Sequence, residues 1–192
     1  MAKPPALSIR RATDRDLGAI ARVLVDTWRD TFRGLIPDSF LDAMSYGDQE
    51  ERHRRRLRQP ENLHLVLEDA GGGIVGFANA GRNRLAEYPY STELYAIYIG
   101  AAHQGLGLGR RLLGAVAGAG LERGRTQMLV QALEVNPCRA FYDRLGARRL
   151  GTRSLSLGEF SVPAIDYGWE DLSVLTRPQR IGREPEAGRP RP

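Results

Sequence analysis

Apolar residues recur along the chain in two rhythms, and the switches between them lay out the elements. "ALSIRRA" (6–12) alternates like a short strand, after which Leu17, Ile20, Val23, Leu24 and Thr27 return at helical spacing behind a capping box of Thr13 and Asp16. "GLIPDSFLDAM" (34–44) breaks at Pro37 and resumes as a short helix, and "DQEERHRRRLRQ" (48–59) makes a second, polar one that stops before Pro60. "NLHLVLED" (62–69) and "IVGFANAGR" (74–82) flank Gly71, Gly72 and Gly73, the pattern of a hairpin. A polar loop, "NRLAEYPYS" (83–91), leads to "TELYAIYIG" (92–100), whose β-branched and aromatic residues predict a strand.

Leu108, Leu112, Leu113, Val116, Ala117 and Leu121 then mark a helix that ends near Gly124, and "TQMLVQALEV" (126–135) reads as a buried strand. Asn136 and Pro137 open a further helix as N-cap and first residue, with Gly146 closing it. "ARRLGTRSLSLG" (147–158) and "FSVPAIDYGWEDL" (160–172) supply two last strands. The sum is an α/β fold, a mixed central sheet of about seven strands flanked by about four helices.

Composition changes this picture little. With 192 residues, 42% hydrophobic and 27% charged, the chain predicts one soluble domain over residues 7–175, with an N-terminal extension at 1–6. No apolar run is long enough for a membrane span, and no secretory leader is visible. One cysteine, Cys138, excludes a disulfide framework, so a reducing, cytoplasmic setting is expected. The three histidines, His53, His64 and His103, offer no metal-ligand spacing, and no metal is expected. Of the net charge of +5, the tail 176–192 carries five arginines against two glutamates, hence +3, and its four prolines predict disorder. The remainder gives no reason to expect nucleic acid, and "ERHRRRLR" (51–58) reads as a solvated helix face.

The chemistry concentrates in "HQGLGLGRRLL" (103–113), with glycines at three alternate positions between a strand and a helix. It lacks the Lys-Ser/Thr pair of a nucleotide-triphosphate loop, and its G-x-G-x-G spacing is not that of a dinucleotide fold. What remains is a helix N-terminus whose free N–H groups and dipole favour an anion, or else a tight turn whose glycines serve packing.

Taken with "VNPCRAFYDRLGARRLG", the segment "ELYAIYIGAAHQGLGLGRRLL" resembles the GNAT superfamily of N-acetyltransferases. That family carries [QR]-x-x-G-x-[GA] after a strand and, some 30 residues on, N-x-x-A-x-x-[FY]-x-x-x-G or a close variant. The likeness spans roughly residues 7–172. It implies that acetyl-CoA is the co-substrate and that its pyrophosphate lies on the backbone of Gln104, Gly105, Leu106, Gly107, Leu108, Gly109 and Arg110. It implies further that the pantetheine arm pairs along Ile97, Tyr98 and Ile99, with Asn136 and Tyr142 also touching the cofactor. In catalysis it assigns Tyr142 the proton for the departing thiolate and Glu93 the removal of a proton from the amine, with Glu134 as rival base.

The bland roles stay open. Tyr142 would serve as an edge aromatic, Glu93 as an exposed strand-end carboxylate, and Asn136 as a helix cap. A Cys138 acyl-enzyme is weighed and set aside, since no histidine is placed to activate it. The acceptor implied is a small-molecule amine held among Trp28, Phe32, Tyr88, Pro89, Tyr90, Tyr95 and Tyr98, although core packing accounts for most of these aromatics. Alternatives are a protein N-terminus or lysine as acceptor, or an acyl-CoA-binding module without turnover. The last strands leave an edge that a homodimer would use.

Overall fold

The computed structural model describes residues 7–177. Its seven strands are β1 (Ser8–Arg11), β2 (Leu63–Glu68), β3 (Ile74–Arg82), β4 (Thr92–Ile99), β5 (Met128–Leu133), β6 (Arg148–Leu157) and β7 (Phe160–Trp169). They form one sheet in the order β1-β2-β3-β4-β5-β7-β6, and every pairing is antiparallel except that of β4 with β5. The helices are α1 (Leu17–Phe32), α2 (Asp38–Ala43), α3 (Tyr46–Leu57), α4 (Leu108–Leu121), α5 (Ala140–Arg144) and α6 (Ser173–Thr176).

Side-chain periodicity decides which face each helix covers. Leu17, Ile20, Leu24, Val25 and Phe32 of α1 bury with Val66, Phe77, Ala96, Leu133 and Ala164 on one face of the sheet. On the other face Leu112, Leu113, Val116 and Ala117 of α4 bury with Leu65, Ala78, Leu94, Met128, Val130 and Ile165. The sheet is covered on both sides, which is why β2, β3 and β5 read as nearly continuous apolar runs. Trp169 lies at the second of these cores, 1% exposed, with its indole N–H donated to the Leu145 carbonyl at 2.8 Å. Trp169→Ala is expected to cost about 3–5 kcal/mol, read as a lower midpoint in a urea melt with unchanged slope.

Local chemistry agrees with the sequence at several ends. The Asp16 carboxylate accepts from the Thr13 N–H at 2.8 Å and hydroxyl at 3.0 Å, and Arg10 beside it holds its carboxyl down to about 2. At the hairpin, Asp69 accepts from the N–H groups of Gly71 and Gly73, while Gly72 takes φ +83°.

Other boundaries differ. The described residues hold six helices, against the four or so expected, and α6, a single turn of four residues, is the one that no sequence pattern predicts. β7 ends at Trp169 and not at Leu172, and the Asp171 carboxylate that follows accepts from the Ser173 N–H at 2.8 Å as the chain turns into α6. α5 begins at Ala140, with Arg139 in the cap position, so Asn136 is not the helix N-cap. The expected extension at 1–6 lies outside the described residues, as does nearly all of the tail, 178–192.

Candidate active site

The site starts from a failure of pairing. β4 and β5 run in parallel, but only Thr92, Glu93 and Leu94 pair with Met128, Leu129 and Val130. Beyond that point β4 stays with β3 as far as Ile99, and β5 stays with β7 as far as Leu133. A register shift between Asn79 and Ala80, opposite Tyr95, bends β4 away where the two strands separate. The central strands therefore form a wedge, and the β4 backbone groups turned towards β5 over residues 95–99 lack strand partners.

At the wide end of the wedge the chain enters the glycine turn. Gly105 and Gly107 take φ +76° and +72°, values that L side chains rarely adopt. The Gln104 side chain donates to the Ile99 carbonyl at 2.9 Å and ties the turn to the end of β4. Its own N–H goes to Ala101 at 3.2 Å, so the expectation that Gln104 lends an amide to a ligand is corrected: that donor is spent inside the turn. Gly105, Leu106, Gly107, Leu108, Gly109 and Arg110 have N–H groups with no backbone acceptor among the described residues, and the first internal bond comes from Arg111 to Gly107. Six N–H groups without a backbone acceptor among the described residues thus lie at or just before the start of α4, where the helix dipole is positive.

Tyr142 is 8% exposed and packs against Phe141, Tyr167 and Trp169, with ring centroids at 5.3, 5.5 and 6.2 Å. Burial, and then the Tyr98 phenol, push its hydroxyl well above the usual tyrosine range, so it stays protonated at neutral pH. Asn136 accepts from the Cys138 N–H at 2.8 Å through its side-chain oxygen, a turn in place of the helix cap. Cys138 is exposed, and Glu134 is exposed just past the end of β5, its N–H donated to Pro163 at 2.8 Å.

Glu93 is not the open strand-end carboxylate. It is 1% exposed, and its oxygens accept from the Arg84 guanidinium and from the Arg84 N–H at 3.0 Å. Of the aromatics expected around an acceptor, Phe32 and Tyr90 are buried. Tyr88 donates to Asp166 at 3.0 Å, and Tyr95 lies over Gly81 with its hydroxyl on the Arg82 carbonyl. Trp28 and Tyr98 do meet: the indole N–H donates to the phenol at 2.8 Å.

Two groupings went unseen in the sequence. Asp166, 1% exposed, collects Tyr88, Gln131 and Arg153, from 78, 35 and 13 residues away, and nothing in a linear pattern joins them. His53 and His64, read as scattered, pair in the core. The Asn79 amide donates to His64 Nδ1 at 3.0 Å, which puts the proton of His64 on Nε2 and directs it to His53 Nδ1 at 3.3 Å. Burial, the largest cause in each case, lowers His53 to about 3 and His64 to about 4, from an ordinary 6.5. Both are neutral in the fold at pH 7. As pH falls below 6.5 the unfolded chain takes up protons that the fold refuses, so stability is lost down to the folded values. The expected loss between pH 7 and 4.5 is up to about 5 kcal/mol by denaturant titration, and a His53→Leu/His64→Leu double variant should flatten that slope.

The comparisons with known proteins meet this geometry. Residues 21–147 match the model of the acetyltransferase (GNAT) family. The chain is a GNAT acetyltransferase. Among relatives of this GNAT acetyltransferase is a Bacillus subtilis protein called uncharacterized N-acetyltransferase YuaI, 32% identical over 169 residues, which are 88% of this chain and 96% of the relative. The fold is also that of the ACIAD1637 structure from Acinetobacter baylyi, with TM-score 0.71 and 20% identity over 93% of this chain and 99% of the other. It is likewise that of yncA from Salmonella typhimurium, solved with acetyl-CoA, with TM-score 0.66 and 22% identity over 87% and 94%.

Proposed function

We propose that this acetyltransferase moves the acetyl group of acetyl-CoA to a primary amine by direct attack in a ternary complex, with a small-molecule amine as acceptor. One observation carries the reading: β4 parts from β5 beside six unpaired N–H groups at the start of α4. A pantetheine arm carries amides that need the bonds a neighbouring strand would make, and the β4 edge at Ile97, Tyr98 and Ile99 fits that need. A pyrophosphate needs closely spaced donors, and residues 105–110 supply them, helped by the absence of any side chain on Gly105, Gly107 and Gly109. Among the described residues the Asn136 side chain is bonded only through its oxygen, which leaves its N–H groups available for the same ligand. The yncA structure with acetyl-CoA supports this ligand on this fold.

Three chemical demands follow. A backbone N–H of the 97–99 segment polarises the thioester carbonyl. Tyr142, kept neutral by burial, holds the proton that the departing thiolate takes. The amine must lose a proton, and Glu93, with its oxygens engaged by Arg84, is poorly placed to accept it. We assign Glu93 to anchoring Arg84 and give proton removal to the exposed Glu134. Comparing Glu93→Gln with Glu134→Gln separates the two. The first should lower the melting midpoint and leave the acid limb of the kcat/KM profile in place. The second should remove that limb and cost about 100-fold in kcat; the reverse pattern would restore Glu93 as base. For the activity as a whole, titration calorimetry with acetyl-CoA and CoA release over a panel of amines are the tests. Tight binding without turnover of any amine would favour the non-catalytic module.

A further inference from the structure

We infer that the acceptor carries an acidic group several bonds away from its amine, and that Arg56 is the residue that binds it. The inference rests on the acetyl transfer proposed above and adds that the amine docks on the face of β4 that α1 and α3 cover.

The arginines of α3 are not alike. Arg54 pairs with Glu50 and Glu51, and Arg55 pairs with Glu51, on the outer surface. Arg56, half-buried, has no ion pair and no side-chain hydrogen bond among the described residues. Its guanidinium lies 5.8 Å from the centroid of the Tyr95 ring, and that of Arg84 lies 4.4 Å from the same ring. Arg84 is neutralised by Glu93. Two guanidinium groups thus share one ring, and the one buried carboxylate beside them makes its direct ion pair with Arg84. Elsewhere on the same face the charges balance: Arg153 is held by Asp166 and Glu87.

An unpaired, partly desolvated cation next to another cation is costly. Burial and the neighbouring Arg84 both lower the affinity of Arg56 for its proton, which is the same cost seen from another side. A carboxylate, phosphate or phosphinate would relieve it, because the planar guanidinium matches such groups two oxygens at a time.

Position makes this a determinant of the acceptor. Tyr95 is the first β4 residue beyond the segment paired with β5, and its ring leans over Gly81 of β3, so Arg56 stands beside the point of the wedge, on its β3 side. Its charge bears on Glu93, Tyr95 and Tyr98, that is, along the strand beside which the thioester carbonyl would lie. From Tyr95 to Tyr98 the strand advances roughly 10 Å. An α-amino acid is too short for that interval, whereas an ω-amino acid of four to six carbons spans most of it. A polyamine would place a second cation against Arg56 and be rejected.

The test uses the full chain with acetyl-CoA and two matched series: glycine, β-alanine, 4-aminobutyrate and 6-aminohexanoate, and the alkylamines with a methyl group in place of each carboxylate. CoA release is measured for both. The longer acids should exceed their alkylamines by tenfold or more in kcat/KM. Arg56→Met should lower that ratio at least tenfold, with acetyl-CoA affinity by calorimetry unchanged, and Arg56→Lys should retain part of it. Equal use of acids and alkylamines, preference for the alkylamines, use of neither series, or a ratio untouched by Arg56→Met would each overturn the inference while leaving the cofactor cleft intact. Absence of acetyl-CoA binding by the native chain would overturn the cleft as well.

Discussion

Tyr142→Phe should lose about 100-fold or more in kcat with little change in the affinity for acetyl-CoA. The hydroxyl is the only group removed, and the ring keeps its contacts with Phe141, Tyr167 and Trp169, so the fold should melt at nearly the native midpoint. The loss arises because the departing thiolate needs a proton, and a phenol held neutral by burial carries one at every pH used in an assay. The loss should shrink as the amine becomes so reactive that thiolate departure no longer limits the rate. A stopped-flow comparison of the variant across amines of graded basicity measures this. Native turnover by Tyr142→Phe would reduce the residue to a core aromatic.

Gly107→Val acts on binding. Gly107 sits at φ +72° with open space where a side chain would go, so the damage comes from the backbone and not from a collision within the fold. A β-branched residue resists the left-handed region by about 1–2 kcal/mol, and the turn escapes by rotating its backbone, which reorients the N–H groups around it. Acetyl-CoA affinity should fall by at least tenfold in calorimetry, and by more for the intact cofactor than for a pantetheine fragment that lacks the pyrophosphate. Equal losses for both would place the pyrophosphate elsewhere.

Much of this architecture was legible in the sequence because it rests on local chemistry. Alternating and helical periodicities gave all seven strands and the long helices, and the alternate glycines at 105, 107 and 109 announced a tight turn between a strand and a helix. The boundaries that shifted are those where a short polar contact competes with a helix or strand end. Asn136 binds the Cys138 N–H and delays α5 by three residues, and Asp171 accepts from the Ser173 N–H where β7 has given way to α6. Site chemistry was legible only where it is made of backbone. The wedge follows from a register shift that no residue type encodes by itself. Side chains that act across the sheet were not readable: Glu93 met Arg84 in a loop, Asp166 met three partners from separate strands and a loop, and the "ERHRRRLR" face split into two arginines paired with glutamates, a buried His53, a half-buried Arg56 and exposed arginines at 52 and 58. Their assembly depends on tertiary register, which hydropathy patterns leave undetermined.

The central claim is that the unpaired edge of β4 and the free amides of the glycine turn receive acetyl-CoA. Amide hydrogen exchange, resolved by residue and recorded with and without the cofactor, addresses it directly. Protection should rise in residues 95–99 and 105–110 and stay unchanged along the sheet edges β1 and β6. Protection that appears at those outer edges while residues 95–99 and 105–110 exchange as before would contradict the account.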